Sequence, residues 1–199
     1  MKKIVLIFLA ACAIAFNTHG QNEISGHEYV DLGLNVKWAT CNIGAKAPHE
    51  YGDYYAWGET TTKSSYIDYN SKTYGKNFED ISGDQNHDAA RANWGKTWRI
   101  PTKAEMEELE SKCTWTWTSQ SGTNGYKVTG PNGNSIFLPA AGFRNGNLKH
   151  KVGDNGFYST SSLHYCNKDG AYTLIFKNNG YSVYWYLRHV GLTIRPVSD

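Results

Sequence analysis

Gly95-Lys96-Thr97-Trp98-Arg99-Ile100-Pro101-Thr102-Lys103-Ala104-Glu105-Met106-Glu107-Glu108-Leu109 decides the architecture of this 199-residue chain. Pro101 has no N–H to give to a helix interior and Thr102 is a good N-cap. Glu105 stands three residues later, where its carboxylate reaches back to the cap nitrogen. A helix therefore runs from about Lys103 to Lys112, with Met106 and Leu109 facing inward. Trp98-Arg99-Ile100 before it reads as a short strand.

Working upstream, Asp88-Ala89-Ala90-Arg91-Ala92-Asn93-Trp94 carries a capping acid and good helix formers, and Gly95 stops it, giving a first, shorter helix. Tyr54 to Glu59 reads as a short strand, and Thr60 to Ser82, polar and non-periodic, as a long surface loop. Tyr29 to Thr40 predicts a hairpin around Gly33-Leu34-Asn35, preceded by a short exposed leader over residues 21–26. Downstream come strands at Cys113–Thr118, Tyr126–Thr129 and Ser135–Leu138, with turns at Gly122–Gly125 and Pro131–Gly133. Further β-like runs follow from Gly156, at Ala171–Phe176 and Tyr181–Trp185, and the chain closes on Gly191–Val197. Two helices among many short strands predict an α+β fold. With no linker and no repeat, residues 27–199 read as one domain.

The opening residues address compartment. Lys2 and Lys3 precede an apolar run from Ile4 to Phe16, followed by Thr18-His19-Gly20, the pattern of a signal peptide over residues 1–20 with cleavage after Gly20. Leu9-Ala10-Ala11-Cys12 also fits a lipobox, so a lipoprotein anchored through Cys12 is the alternative to plain secretion. The full chain has 20 basic and 18 acidic residues, and the first twenty hold two lysines and no acid, so the exported part is near neutral. Without a basic excess there is no electrostatic footprint for nucleic acid or an anionic membrane surface. Cys41, Cys113 and Cys166 would stand in an oxidising compartment. They read as buried small apolar residues, with a Cys41–Cys113 bridge as the alternative.

Five blocks together resemble the exported bacterial modules called the Fibrobacter succinogenes major paralogous domain, abundant in Bacteroidetes. They are Asp31–Gly44, Tyr51–Thr60, Trp98–Thr102, Gly130–Gly142 and Ile194–Val197. The resemblance implies a C-type-lectin-like fold, distantly similar to formylglycine-generating enzymes, with two helices flanking small twisted antiparallel sheets and the first and last strands brought together. Tyr158 stands where such modules often carry Trp.

Catalytic equipment is sparse. Formylglycine enzymes use a close cysteine pair, whereas Cys166 stands alone with His164 two residues away, so a thiol mechanism has one base at most. Glu59, beside Trp57 and Tyr55, has the aromatic setting of a glycosidase acid but no nameable partner carboxylate. A secreted hydrolase or thiol enzyme using Glu59 or Cys166 is thus the alternative function. Asp84 to Asp88 alternates oxygen ligands like a calcium loop, yet lacks its glycine and its closing acid, so helix capping by Asp88 is the better reading. The His-Glu-x-x-Asp outlines at His27 and His49 have no helix to align them for zinc. No metal or cofactor is expected.

The favoured expectation is a non-enzymatic recognition or adhesion module, secreted or at the cell surface, binding an extracellular glycan or protein. The stretch from Gly156 to Arg188 supplies Tyr158, His164, Tyr165, Tyr181, Tyr184, Trp185, Tyr186 and Arg188 as candidate ligand contacts. Aromatic rings give rigid contact area there. Strand alternation puts Tyr184 and Tyr186 on one face and Trp185 on the other.

Overall fold

The computed structural model describes residues 22–199; the expected signal segment and Cys12 lie outside the described residues. Helix α1 (Ala89–Trp94) starts where Asp88 Oδ1 accepts the N–H groups of Ala90 and Arg91 at 2.8 and 3.0 Å. Its other oxygen accepts from Gly83 and Ile100 at 2.7 and 2.9 Å, tying the preceding loop to the strand-like segment before the next helix. Gly95, at φ 72°, ends α1 in a conformation that favours glycine. Helix α2 (Lys103–Lys112) carries the expected capping box, in which Thr102 Oγ1 accepts from Glu105 N–H and Glu105 Oε2 accepts from Thr102 N–H. Arg99 clamps the same carboxylate with two bonds of 2.8 and 2.6 Å.

Apart from a short 3-10 turn at Asp68–Asn70, the other regular structure is β, so the described residues form an α+β fold with two short α-helices. Strands β1 (Glu23–Ile24), β2 (His27–Asp31), β3 (Lys37–Ala39) and β12 (Val197–Ser198) form a sheet in the order β1-β2-β3-β12. A second sheet contains β4 (Thr114–Gln120), β5 (Thr123–Thr129) and β6 (Ser135–Pro139), and a small hairpin joins β7 (Phe143–Asn145) to β8 (Leu148–His150). The third sheet, ordered β11-β10-β9, comprises β9 (Asn155–Leu163), β10 (Gly170–Lys177) and β11 (Gly180–Leu187). All of the named strand pairs are antiparallel.

Three local expectations are corrected and one element is new. The leader is not loose: residues 23–24 pair with β2, and Trp98 Nε1 donates to Ile24 O at 2.8 Å. Tyr54 to Trp57 threads through the interior instead of forming a strand, held by Tyr55 N–H to Leu192 O (2.9 Å) and Trp57 N–H to Arg188 O (2.9 Å). The β4–β5 turn is Ser121-Gly122, both with positive φ, not Gly122–Gly125. The β7–β8 hairpin had no counterpart in the sequence reading, because Phe143–His150 lacks apolar alternation.

The main core joins Trp38, Met106, Leu109, Val128, Leu138, Leu174, Phe176 and Val197 between α2 and the three sheets. A second cluster gathers Ile43, Trp57, Ile100 and Ile194 around α1. Between them lies Arg195, fully buried and without a carboxylate partner among the described residues. Its guanidinium donates to Asn42 Oδ1 (2.9 Å) and to the carbonyls of Ala39 (3.1 Å), Thr40 (2.9 Å) and Phe137 (2.9 Å). Burial lowers its pKa, opposed by Tyr158 and Cys41.

Candidate functional site

A two-residue connection, Asn178-Asn179, sets the β10–β11 register and puts Tyr172 opposite Trp185, Leu174 opposite Val183 and Phe176 opposite Tyr181. Cross-strand partners share a face. Leu174, Phe176 and Val183 pack with Met106 and Leu109 of α2. Further along the same face, near the start of the helix, Tyr172 and Trp185 are only half-buried.

A register shift between Ala171 and Thr173 interrupts the β9–β10 ladder, and a bulge of this kind re-aims side chains. The loop that follows β9 is pinned by His164 N–H to Gly170 O (3.2 Å) and Gly170 N–H to Asn167 O (3.0 Å). The His164 ring thereby lies 5.0 Å from that of Tyr165, 5.3 Å from Tyr172 and 5.6 Å from Trp185. Lys103, at the first position of α2, holds its ammonium 4.8 Å from the Tyr172 ring centre. Its 2.6 Å ion pair with Glu107 raises its pKa. Tyr165 is 84% exposed. The result is an open aromatic surface with a cation at its edge, suited to CH-rich ring faces and to acceptor groups.

Five of the eight residues singled out from the sequence do not join this surface. Tyr184, 60% exposed, lies opposite Thr173 on the face away from Tyr172 and Trp185. Tyr158 is fully buried: its hydroxyl donates to Pro139 O (2.9 Å) and accepts from Asn42 Nδ2 (3.3 Å), and burial pushes its pKa up to about 12. Arg188 is buried over Trp57, 5.1 Å from the ring centre, and donates to the carbonyls of Lys76 and Lys168. Tyr186 packs between Phe143 and Phe157 on the face opposite Trp185, so the alternation of those two neighbours is as expected. Tyr181 stacks on Trp115 at 4.4 Å, at the far end of the strand. Two members of the surface were missed, Lys103 and Tyr172. The register implied by the Asn178-Asn179-Gly180 turn signals Tyr172, since it sets that residue opposite Trp185.

Glu59 is buried and committed, with Oε1 accepting from Lys63 Nζ at 2.9 Å and from Lys72 N–H at 2.9 Å. Cys166 is exposed, and the nearby imidazole of His164 accepts from the Cys166 backbone N–H at 3.4 Å through Nδ1. All three described cysteines are free thiols, so there is no Cys41–Cys113 bridge; Cys113 ends α2 against the main core, and burial pushes its thiol up to about 11. His27 lies in a strand and stacks on Trp94 at 3.7 Å, while Glu50, in a turn, accepts from Lys46 N–H at 2.7 Å. Among the described residues, no group of three or more His, Cys, Asp or Glu is placed to hold a metal ion. No helix among them is long and apolar enough to cross a membrane.

Elsewhere, a cleft of about 370 Å³ opens between Val30, Thr40 and Pro48 on one side and Thr118, Lys127 and Phe137 on the other. Compared with models of known protein families, with curated proteins and with solved structures, the chain matches none.

Proposed function

We propose that the chain is an exported, non-enzymatic recognition or adhesion module of a Bacteroidetes-type bacterium, binding an extracellular glycan or protein through the face of His164, Tyr165, Tyr172, Trp185 and Lys103. The observation that carries this reading is the convergence of Tyr165, Tyr172 and Trp185 around one imidazole while Tyr165 stays 84% exposed. Grouped exposed aromatics of this kind mark contact surfaces. The scaffold we propose is C-type-lectin-like, of the Fibrobacter succinogenes major paralogous kind. Supporting it, β12 pairs with β3 and so joins the chain's closing strand to its opening hairpin, and two capped helices accompany small antiparallel sheets.

Purified protein probed on glycan and peptide arrays supplies the test. Binding should fall at least about tenfold in Trp185→Ala and Tyr165→Ala with an unchanged melting temperature, as for hot-spot residues outside the core. Unchanged binding in both variants would reject this face. Mass spectrometry of the exported protein should find Gln21 at the amino terminus; a lipidated Cys12 there would place the module on a lipid anchor instead.

A further inference from the structure

Strand β4, Thr114-Trp115-Thr116-Trp117-Thr118-Ser119-Gln120, pairs with β5 along one edge, and among the described residues no strand pairs with the other. The two-residue Ser121-Gly122 turn makes Gln120 and Thr123 the first hydrogen-bonded pair, and such pairs alternate along an antiparallel ladder. Thr114, Thr116, Thr118 and Gln120 therefore direct their backbone groups to β5, while Trp115, Trp117 and Ser119 direct theirs outward. The same parity appears one strand over, where Asn124 O turns away from β4 and accepts from Ala140 N–H at 2.8 Å.

Edge strands are ordinarily blunted by lysine, proline, a bulge, shortness or a covering element. Among the described residues β4 has none of these: it is 7 residues long, uncharged and in unbroken register with β5. Threonine and tryptophan are strong strand formers. The contrast with β11, the other long edge with little charge, is direct. Its outward Val183 N–H is taken by Glu110 Oε2 of α2 at 3.2 Å.

We propose that β4 is a homodimer edge, pairing antiparallel with β4 of a second copy about a two-fold axis at Trp117. An uncharged strand meets its own copy without repulsion, and a two-fold interface requires that the same patch serve both subunits. In this register Trp117 faces Trp117 of the partner subunit. Trp115 meets Ser119 of the partner subunit, and Thr116 meets Thr118 of the partner subunit, so every outward-facing backbone group gains a partner. Thr118 also lines the 370 Å³ cleft, so the second copy's strand would extend that cleft's wall.

Sedimentation of the purified protein across about 1–100 μM, the range typical of modest interfaces, reads the assembly. The wild type should sediment as a concentration-dependent dimer. Ser119→Pro removes an N–H that points away from β5 and should raise the dissociation constant at least about tenfold with an unchanged melting temperature. Thr116→Glu with Thr118→Glu sets like charges across the axis and should dissociate the dimer to the same degree. Thr116→Glu with Thr118→Lys sets opposite charges there and should restore it. Both threonines are exposed, so these pairs decide the matter even where the proline variant fails to fold. A wild type that stays monomeric at the highest concentration overturns the proposal, as does a dimer indifferent to both the proline and the paired glutamates. Dissociation that the opposite-charge pair does not reverse overturns the Trp117-centred register.

Discussion

Arg195 shows how a residue can be buried without a counter-charge. Its planar fork reaches four acceptors, contributed by Asn42, β3 and the residue after it, and β6, so the charge is solvated by oriented dipoles. Arg195→Met should therefore cost about 3 kcal/mol or more in chemical denaturation, since the acceptors would be left buried and unpaired. Arg195→Lys should recover little of it, because a point-like ammonium lacks the fork. Tyr158→Phe removes only the hydroxyl shared with Pro139 and Asn42 and should cost about 1 kcal/mol while leaving ligand capture intact. At this scale the sequence was least legible. Arg188 reads as a contact residue, yet its partners are carbonyls 112 and 20 positions away in loops whose path no local pattern reveals.

Elements with local signals were legible and those defined by distant partners were not. Both helices begin where capping chemistry places them, and α1 ends at its glycine stop, because these signals lie within a few residues of each other. Strand β1 and the threaded segment 54–57 were misread because they depend on Trp98, Leu192 and Arg188, far along the chain. The candidate site falls between these cases: the hairpin register that joins Tyr172 to Trp185 follows from its turn, but Lys103 enters from another element. Thr102→Ala should lower stability by about 1 kcal/mol, read from the denaturation midpoint. Glu105 adds a pH dependence. Burial opposes its charge, but the Arg99 guanidinium and the Thr102 N–H together hold its carboxyl below the usual carboxylate range. A depressed folded-state pKa means the stabilisation is present above the unfolded value and lost as pH falls through the folded one. Acid titration of stability should therefore show a loss below about pH 4, the ordinary glutamate range, that is reduced in Glu105→Gln. An identical acid profile in that variant would assign the loss to other carboxylates.

At the scale of the whole molecule, the two ends of the described chain close on each other. Val197 pairs with Trp38, and Ser198 with Lys37. Across its other edge, Val197 exchanges backbone bonds with Arg99 at 3.0 and 2.9 Å. Ala39 N–H takes Pro196 O at 2.9 Å, and the Val197 side chain is fully buried among Trp38, Met106 and Leu109. A few terminal residues thus join the opening hairpin to the entry of α2, so their removal should propagate rather than fray locally. Deleting residues 196–199 should abolish the near-ultraviolet circular dichroism of the packed tryptophans and eliminate a cooperative melt. Deleting Asp199 alone is the control. It is the exposed partner of a 2.6 Å ion pair with Arg99, and exposed pairs contribute about 0–1 kcal/mol, so the melt should remain cooperative and shift little. A longer deletion that still melts in one sharp transition would show that β12 covers a core already closed without it.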